Sequence, residues 1–314
     1  MIESPLCDIL GIEYPVFQGG MAWISDGELA AAVSNGGGLG IISAGNASAE
    51  HVRAQIRRCR ELTDRPFGVN IMLMSPKVDE VAAMLVEEKV PVLTTGAGNP
   101  SKYMPAWRAA GSAVIPVVAS SAMARMMTRT GATAIIAEGG ESGGHVGEIT
   151  TMALVPQVCD VTDLPVLAAG GIGDGRGMAA AFMLGACGVQ MGTRFLVAEE
   201  CNVSQVYKEK ILKAKDIDTI KTGMRLGHPV RSLKTPFSRK YAKLEYTAQT
   251  DEELEGQAAG ALRLAAVDGD VENGCFLAGQ IAGMVKREQP AADIVHEVCA
   301  QAEELLRGAS RWVR

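Results

Sequence analysis

Residues 135–147 read IIAEGGESGGHVG, and within this stretch an apolar run changes abruptly into a glycine-rich loop. Residues 135–137 have the composition of a buried strand, and five glycines follow by residue 147. The loop also carries Glu138, Glu141 and His145. A strand that ends in such a loop is typical of α/β enzymes, which place their chemistry where strands end. A tight surface turn with a solvated histidine has the same composition, so this stretch alone leaves both interpretations open.

Seven further apolar runs resemble this one, and segments with helical periodicity such as 49–62 and 78–88 separate them. Their continuous apolar character predicts strands buried on both faces, as in a parallel sheet. Because the eight units are similar in length and no break in composition separates two halves, we predict an α/β fold of the (β/α)8 TIM-barrel type rather than a doubly wound sheet. The eight runs are residues 15–18, 39–43, 67–70, 92–95, 114–118, 134–137, 166–169 and 188–191.

The pattern changes after the eighth run. We predict that residues 1–200 and 271–314 form the barrel and its C-terminal helices, while residues 201–270 are an insertion after strand 8 that forms a small lid subdomain. Between Lys208 and Lys243 there are eleven Lys or Arg against three Asp or Glu. Such a patch can steer an anionic partner, although a solvated face would look the same. Residues 276–286 and 291–306 are predicted to be helical.

Composition excludes several classes of protein. With 314 residues, 47% of them hydrophobic, the chain can bury a large core, and its net charge of -6 does not favour a nucleic-acid binder. There is no apolar run of membrane-spanning length and no signal-peptide pattern, so we expect a cytoplasmic protein without a membrane partner. The seven cysteines form no CxxC pair, and the four histidines lack metal-ligand spacing, so free thiols and no metal site are expected.

Two consecutive strand ends predict an anion site. Residues 170–175 read GGIGDG and residues 190–193 read QMGT, at the ends of the seventh and eighth predicted strands. Loops at these positions of a barrel commonly bind phosphate through backbone N–H groups and a helix N-terminus. Tight turns without a ligand are the alternative. His145 is the natural proton donor or acceptor, and His228, within GHPVR, could contact substrate.

The longer motifs resemble one family over essentially the whole chain. They are QGGMAW (18–23), GVNIMLMSP (68–76), TTGAGNPSKYM (94–104), AEGGESGGHVGEITTMALVPQV (137–158), AAGGIGDGRGMAAAFMLGA (168–186) and QMGTRF (190–195). They are similar to the flavin-dependent enoyl-acyl carrier protein reductase II family, which is related to nitronate monooxygenase (2-nitropropane dioxygenase). YKEKILKAKDIDT (207–219), GHPVRSLK (227–234) and FLAGQIAGMV (276–285) resemble the reductase branch.

The resemblance implies a barrel that binds FMN non-covalently and has His145 as its active-site histidine. It places the FMN phosphate on Gly171, Gly192 and Thr193, with Gln190 and Met191 lining the same loop. The residues expected at the flavin ring or ribityl chain are Gly20, Met21, Ala22, Asn70, Glu138 and Gly143.

The resemblance also implies an activity. The family reduces a trans-2-enoyl thioester carried on acyl carrier protein, the last step of the fatty acid elongation cycle, with NADH or NADPH as the hydride source and FMN as its carrier. His145 would donate a proton or polarise the thioester carbonyl. A homodimer and activation by a monovalent cation are further expectations from the family. The alternatives are a nitronate monooxygenase, which uses FMN and O2 without nicotinamide, and a non-catalytic flavin-binding or carrier-docking protein.

Overall fold

The computed structural model describes residues 2–313, which form a parallel eight-stranded barrel, a surrounding layer of helices and a separate three-stranded sheet. The strands are β1 Val16–Gln18, β2 Gly40–Ser43, β3 Phe67–Met72, β4 Val92–Gly96, β5 Ala113–Val118, β6 Ile135–Glu138, β7 Gly144–His145, β8 Val166–Ala169, β9 Gly188–Met191, β10 Thr219–Thr222 and β11 Val230–Leu233. The α-helices are α1 Pro5–Leu10, α2 Gly27–Asn35, α3 Ala49–Leu62, α4 Val78–Glu87, α5 Met104–Ala109, α6 Ser121–Thr130, α7 Thr151–Cys159, α8 Gly175–Met183, α9 Gln205–Lys213, α10 Pro236–Thr247, α11 Asp251–Ala258, α12 Ala261–Arg263 and α13 Ala291–Arg307. Short 3-10 segments span Pro100–Lys102, Thr193–Val197, Gln280–Met284 and Gly308–Trp312, and a π turn spans Leu264–Asp268.

The barrel strands follow the order β1-β9-β8-β6-β5-β4-β3-β2, and each neighbouring pair is parallel. A parallel bridge between Phe17 and Leu39 joins β1 to the segment that enters β2 and closes the barrel. Each of the eight predicted runs contains or overlaps one of these strands, so the predicted TIM barrel is confirmed. Because the strands are parallel, their carboxyl ends meet at one rim.

The barrel interior is filled by aliphatic side chains and closed at the bottom by α1. Leu6 and Leu10 of this helix belong to the same buried cluster as Phe17 and Ile41. Ser4 is the N-cap of α1, and its hydroxyl also donates to the carbonyl of Cys187, 2.6 Å away, at the entrance to β9. The amino-terminal helix is therefore part of the barrel core.

The outer helices bury one face against the strands in a second, larger core. The C-terminal helix α13 packs against α8 and α2, and two glycines permit the close approach. A Cβ at Gly36 would lie 2.6 Å from the Cα of Ala292, and one at Gly175 would lie 2.5 Å from the Ala302 nitrogen. The predicted helix at residues 291–306 is confirmed by α13. Within residues 2–313, no helix is both long and apolar enough to cross a membrane.

Residues 201–270 contain three kinds of structure. Helix α9 buries Tyr207 and Ile211 in the main core. Strands β10 and β11 form an antiparallel hairpin, and β11 also pairs with β7, which follows the barrel strand β6. Helices α10 and α11 pack on each other around Tyr241 and Leu254 in a small separate cluster. Through β7, this segment is joined to the loop that carries His145.

The prediction of a helix at residues 276–286 is wrong for residues 276–279. Only Gln280–Met284 is helical, as a 3-10 turn. The preceding residues are extended along β11: the Leu233 N–H donates to the Phe276 carbonyl at 2.8 Å, and Ser232 bridges Leu277. The periodic apolar residues suggested a helix, but their backbone groups bond to a strand distant in the chain. We call residues 276–279 the strap.

Candidate active site

A cavity of about 880 Å³ opens at the rim where the barrel strands end. Every barrel strand end contributes to its wall, and the turn between β10 and β11 and the helices α10–α12 cover one side. All residues that the sequence singled out as catalytic or cofactor-binding line this one cavity. They are Gly20, Met21, Ala22, Asn70, Glu138, Gly143, His145, Gly171, Gln190, Met191, Gly192 and Thr193.

One end of the cavity has the chemistry of an anion site. Thr193 opens the 3-10 segment Thr193–Val197, whose first N–H groups have no partners within the helix. The Thr193 hydroxyl oxygen accepts the Gly279 N–H at 2.8 Å, so its own proton remains available to a ligand. Gly171 has a φ of 72°, which permits a backbone turn that a side chain would strain. These groups fit a phosphate.

Helix α8 does not provide the free N-terminus expected from the sequence. Its N-cap, Asp174, accepts the N–H groups of Arg176 and Gly177 at 2.9 and 3.4 Å, so a carboxylate already occupies this helix end. The helix start that faces the cavity is therefore the 3-10 segment after β9. The anion site that the sequence predicts at these two loops stays a prediction.

The loop after β1 lies close against two other strand ends. A Cβ at Gly20 would overlap the Asn70 Cβ, and one at Gly19 would lie 3.2 Å from the Gln190 side chain. The Asn70 amide donates to Thr94 Oγ1 at 2.9 Å, which fixes its position. Gln18, in contrast, is fully buried and its side chain bonds within the protein. The glycines thus bring backbone and amide groups together at one edge of the cavity.

Glu138 lies in the same layer of the barrel as Gln190, because both pair with Ala169 of β8. Burial raises the pKa of the Glu138 carboxyl to about 7, and the neighbouring Ser142 hydroxyl acts weakly in the opposite direction. The Ser142 hydroxyl is buried without a hydrogen-bond partner of ordinary geometry. Sequence reasoning missed Ser142, and a serine among loop glycines carries no distinguishing signal. An unpaired hydroxyl and a half-buried carboxyl in one wall fit a polar ligand edge.

His145 lies on the two-residue strand β7, with its side chain exposed to the cavity. Surrounding protein atoms lower its pKa by desolvation, and the nearby His228 lowers it further. The imidazole is therefore neutral near pH 7 and can donate its ring N–H or accept a proton. His228 lines the same cavity, as its motif suggested. The other two histidines, His51 and His296, lie on the outer helices α3 and α13.

The strap is a second feature that the sequence did not reveal. A Cβ at Gly143 would lie 2.7 Å from the carbonyl carbon of Ala278, and the Gln280 N–H donates to the Glu141 carbonyl at 2.9 Å. The strap therefore packs on the His145 loop and, through Gly279, on Thr193. Gly279 within an otherwise periodic segment was the one available signal. Among residues 2–313, no three His, Cys, Asp or Glu side chains form a cluster that could hold a metal ion.

A family model described as nitronate monooxygenase matches residues 3–301. The chain belongs to the nitronate monooxygenase family. The structure of FabK from Thermotoga maritima is 49% identical, with a TM-score of 0.98, and covers 100% of both chains. Two curated relatives are each 32% identical: an octahydro-1H-indene-4-carboxyl-CoA dehydrogenase of Mycobacterium tuberculosis, matched over 99% of both chains, and a probable nitronate monooxygenase of Staphylococcus saprophyticus, matched over 97% of this chain and 99% of the relative.

These similarities confirm the family resemblance that the motifs indicated and make the chain an oxidoreductase of an FMN-dependent family. The cavity agrees with this on its own chemistry. It offers a hydroxyl donor and a helix start for a phosphate, close backbone and amide groups for a heterocycle, and an unpaired hydroxyl beside Glu138. The relatives differ in the activities that their names state, so the family alone does not select the substrate.

Proposed function

We propose that this protein reduces trans-2-enoyl-acyl carrier protein to acyl-acyl carrier protein with NAD(P)H and FMN, the last step of the fatty acid elongation cycle. The observation that carries the proposal is the 49% identity over the full length to FabK, the reductase type that the sequence motifs resemble. The curated relative that acts on a carboxyl-CoA compound is also consistent with a thioester substrate.

FMN would lie with its phosphate at the Thr193 end and its ring near Glu138 and the loop after β1. The support is that all of these groups line one cavity. We propose that the phosphate is held by Gly171, Gly192 and Thr193, with Gln190 and Met191 lining the same loop. We propose that the flavin ring or the ribityl chain contacts Gly20, Met21, Ala22, Asn70, Glu138 and Gly143.

When bound, FMN would supply the hydride-transfer chemistry between NAD(P)H and the enoyl thioester. His145 would supply the proton for the α-carbon or polarise the thioester carbonyl, because its neutral imidazole lines the cavity and can donate. The apolar part of the wall includes Met21, Met72 and Met74, whose flexible side chains suit acyl chains of different length.

Residues 201–270 would act as the lid and as the docking site for the carrier protein. Helix α10 exposes Arg239, Lys240 and Lys243 beside the covered side of the cavity, and exposed cations attract an acidic carrier. Several other cations of this basic segment are already used, such as Lys221 in an ion pair with Glu148. A homodimer and a monovalent cation stay proposals from the family.

The test is anaerobic spectroscopy of the purified protein. We expect a yellow protein that is bleached by NADH or NADPH and reoxidised by a crotonyl thioester, and the faster nucleotide identifies the donor. The His145→Ala variant should keep its colour and bleaching but lose about 10²–10⁴-fold in thioester turnover. His51→Ala, which alters an exposed histidine on α3, is the matched control. Normal turnover by His145→Ala would contradict the role of His145.

The alternative is a nitronate monooxygenase, which the family model and the Staphylococcus saprophyticus relative favour. A yellow protein that ignores both nucleotides, is reduced by a nitronate and consumes O2 would establish it. Failure with both substrate classes despite bound FMN would indicate a non-catalytic flavin-binding protein.

A further inference from the structure

The strand that carries His145 is held by the inserted hairpin. Strand β7 contains only Gly144 and His145, and its sheet partner is β11, where Val230 pairs with His145 and Arg231 with Gly144. The Val146 N–H extends this pairing by donating to the Pro229 carbonyl at 3.0 Å. The position of the imidazole is therefore set by contacts with β11.

Arg231 contacts the His145 loop a second time through its side chain. Its Nη2 and Nε both donate to the Gly140 carbonyl, at 2.8 and 3.2 Å, and its Nη1 lies 3.4 Å from the Thr219 hydroxyl of β10. Arg231 thus holds the loop at two points, by backbone pairing at Gly144 and by the guanidinium at Gly140. The two points enclose the glycine-rich turn that immediately precedes His145.

This arrangement has an electrostatic cost. The Arg231 side chain is half-buried, and desolvation lowers its pKa. The carboxylate that favours its charge is Glu141, but Glu141 bonds to Thr151. Within the described part of the chain, Arg231 makes no ion pair. A partly desolvated cation that donates twice to one backbone carbonyl loses part of the stability of these hydrogen bonds to desolvation. It does fix the position of that carbonyl, because the planar fork has a defined geometry.

Arg231 is also outside the wall of the cavity, whereas Gly143, Gly144 and His145 are in it. A direct contact between the guanidinium and the substrate is therefore not needed to explain the position of Arg231. We propose that Arg231 is a positioning residue that holds the turn between Gly140 and Gly144 and thereby sets the location of His145 in the cavity. The inference rests on the proposed function in that His145 acts on the substrate.

The test compares Arg231→Met, Arg231→Lys and Lys234→Met in the FMN-bound protein. Lys234 directly follows β11 and is exposed, so its variant removes a neighbouring cation without touching the loop. Turnover is measured with crotonyl-N-acetylcysteamine, which needs no carrier docking. The titration of His145 is followed by NMR, with its signal assigned as the one that is lost in His145→Gln.

We expect Arg231→Met to keep FMN and to lower kcat about 10–100-fold with KM within about two-fold, because a displacement of about 1 Å is enough for such a loss. The His145 titration should move up towards its ordinary value as the loop loosens and the ring gains solvent. Arg231→Lys keeps the positive charge but not the guanidinium fork, so a His145 titration that also moves in this variant reports position rather than lost charge. Arg231→Lys should recover part of both effects, and Lys234→Met should match the wild type.

Wild-type kcat together with an unmoved His145 titration in Arg231→Met would overturn the proposal. If Arg231→Met does not fold, wild-type kcat together with an unmoved His145 titration in Arg231→Lys would overturn the proposal instead. If the wild type turns over no enoyl thioester, the proposed function fails, but the His145 titration still shows whether Arg231 positions the ring. The two failures are therefore distinguishable.

Discussion

The carboxyl group of Glu138 illustrates how far the surroundings change a single residue. At the end of an apolar strand it could be read as a charged ligand group, but burial raises its pKa to about 7, against an ordinary value of 4.5. Close to neutral pH it is a mixture of acid and carboxylate, and the acid form can donate a hydrogen bond. The pKa of His145 is lowered, which also favours its neutral form, so these two groups carry less charge near pH 7 than they would in water.

The raised pKa of Glu138 predicts a stability that depends on pH. Between about pH 4.5 and 7 the folded protein binds more protons at this site than the unfolded chain, so the free energy of unfolding falls as pH rises through this window. Glu138→Gln lacks the titrating group and should be more stable than the wild type at pH 8, by up to about 3 kcal/mol. At pH 4 the difference should vanish, because both side chains are neutral.

Urea unfolding of the flavin-free protein from pH 4 to 8 measures this difference. Glu50→Gln changes an exposed carboxyl on α3 and is the control. Parallel pH profiles for Glu138→Gln and the wild type would show that Glu138 titrates normally.

At the level of elements, α10 and α11 are stabilised by a small core of their own. Tyr241, Ala248 and Leu254 are its buried members, and Phe237 packs against them. Phe237 and Tyr241 also line the cavity, so the same helices form part of its wall and depend on few apolar contacts. Elements with so little buried surface open locally at lower free-energy cost than the barrel.

Leu254→Ala should therefore unfold α10 and α11 without unfolding the barrel. Removing a fully buried leucine costs about 2–5 kcal/mol, which is large for a cluster of this size. We expect faster hydrogen exchange across residues 236–258, a raised KM for the proposed thioester substrate and unchanged FMN content. Leu62→Ala, at a position that is 37% exposed on α3, is the matched control. Unchanged exchange in the lid would contradict the separate core.

For the whole molecule, the barrel is closed at the end opposite the cavity by α1. Leu6 is fully buried against the barrel interior, whereas Ile9 on the same helix is 48% exposed. Leu6→Ala should lower the free energy of unfolding of the barrel by about 2–5 kcal/mol, and Ile9→Ala by much less. Both variants should bind FMN normally at 20 °C. Thermal and urea unfolding measure the difference. Equal losses of stability in Leu6→Ala and Ile9→Ala would show that α1 does not close the barrel interior.

The amino-acid sequence alone was sufficient to predict the barrel and the residues that line the cavity. Strands buried on both faces need continuous apolar runs, and these runs mark β1–β6, β8 and β9 directly. Parallel strands in a closed barrel bring their carboxyl ends to one rim, so the motifs at the strand ends assign residues as distant as Gly20, Asn70 and Thr193 to one site. Both signals are local in sequence and follow from the periodicity of the backbone.

The tertiary structure alone decided what these groups can do. The strap at residues 276–279 bonds to β11 instead of to itself, Asp174 caps α8, and Arg231 binds the Gly140 carbonyl. The pKa values of Glu138 and His145 depend on how completely other segments enclose them. Each of these properties arises from pairing, capping or desolvation between particular groups, many of them far apart in the chain. Periodicity and composition report how a segment is buried, but not which polar group it meets there.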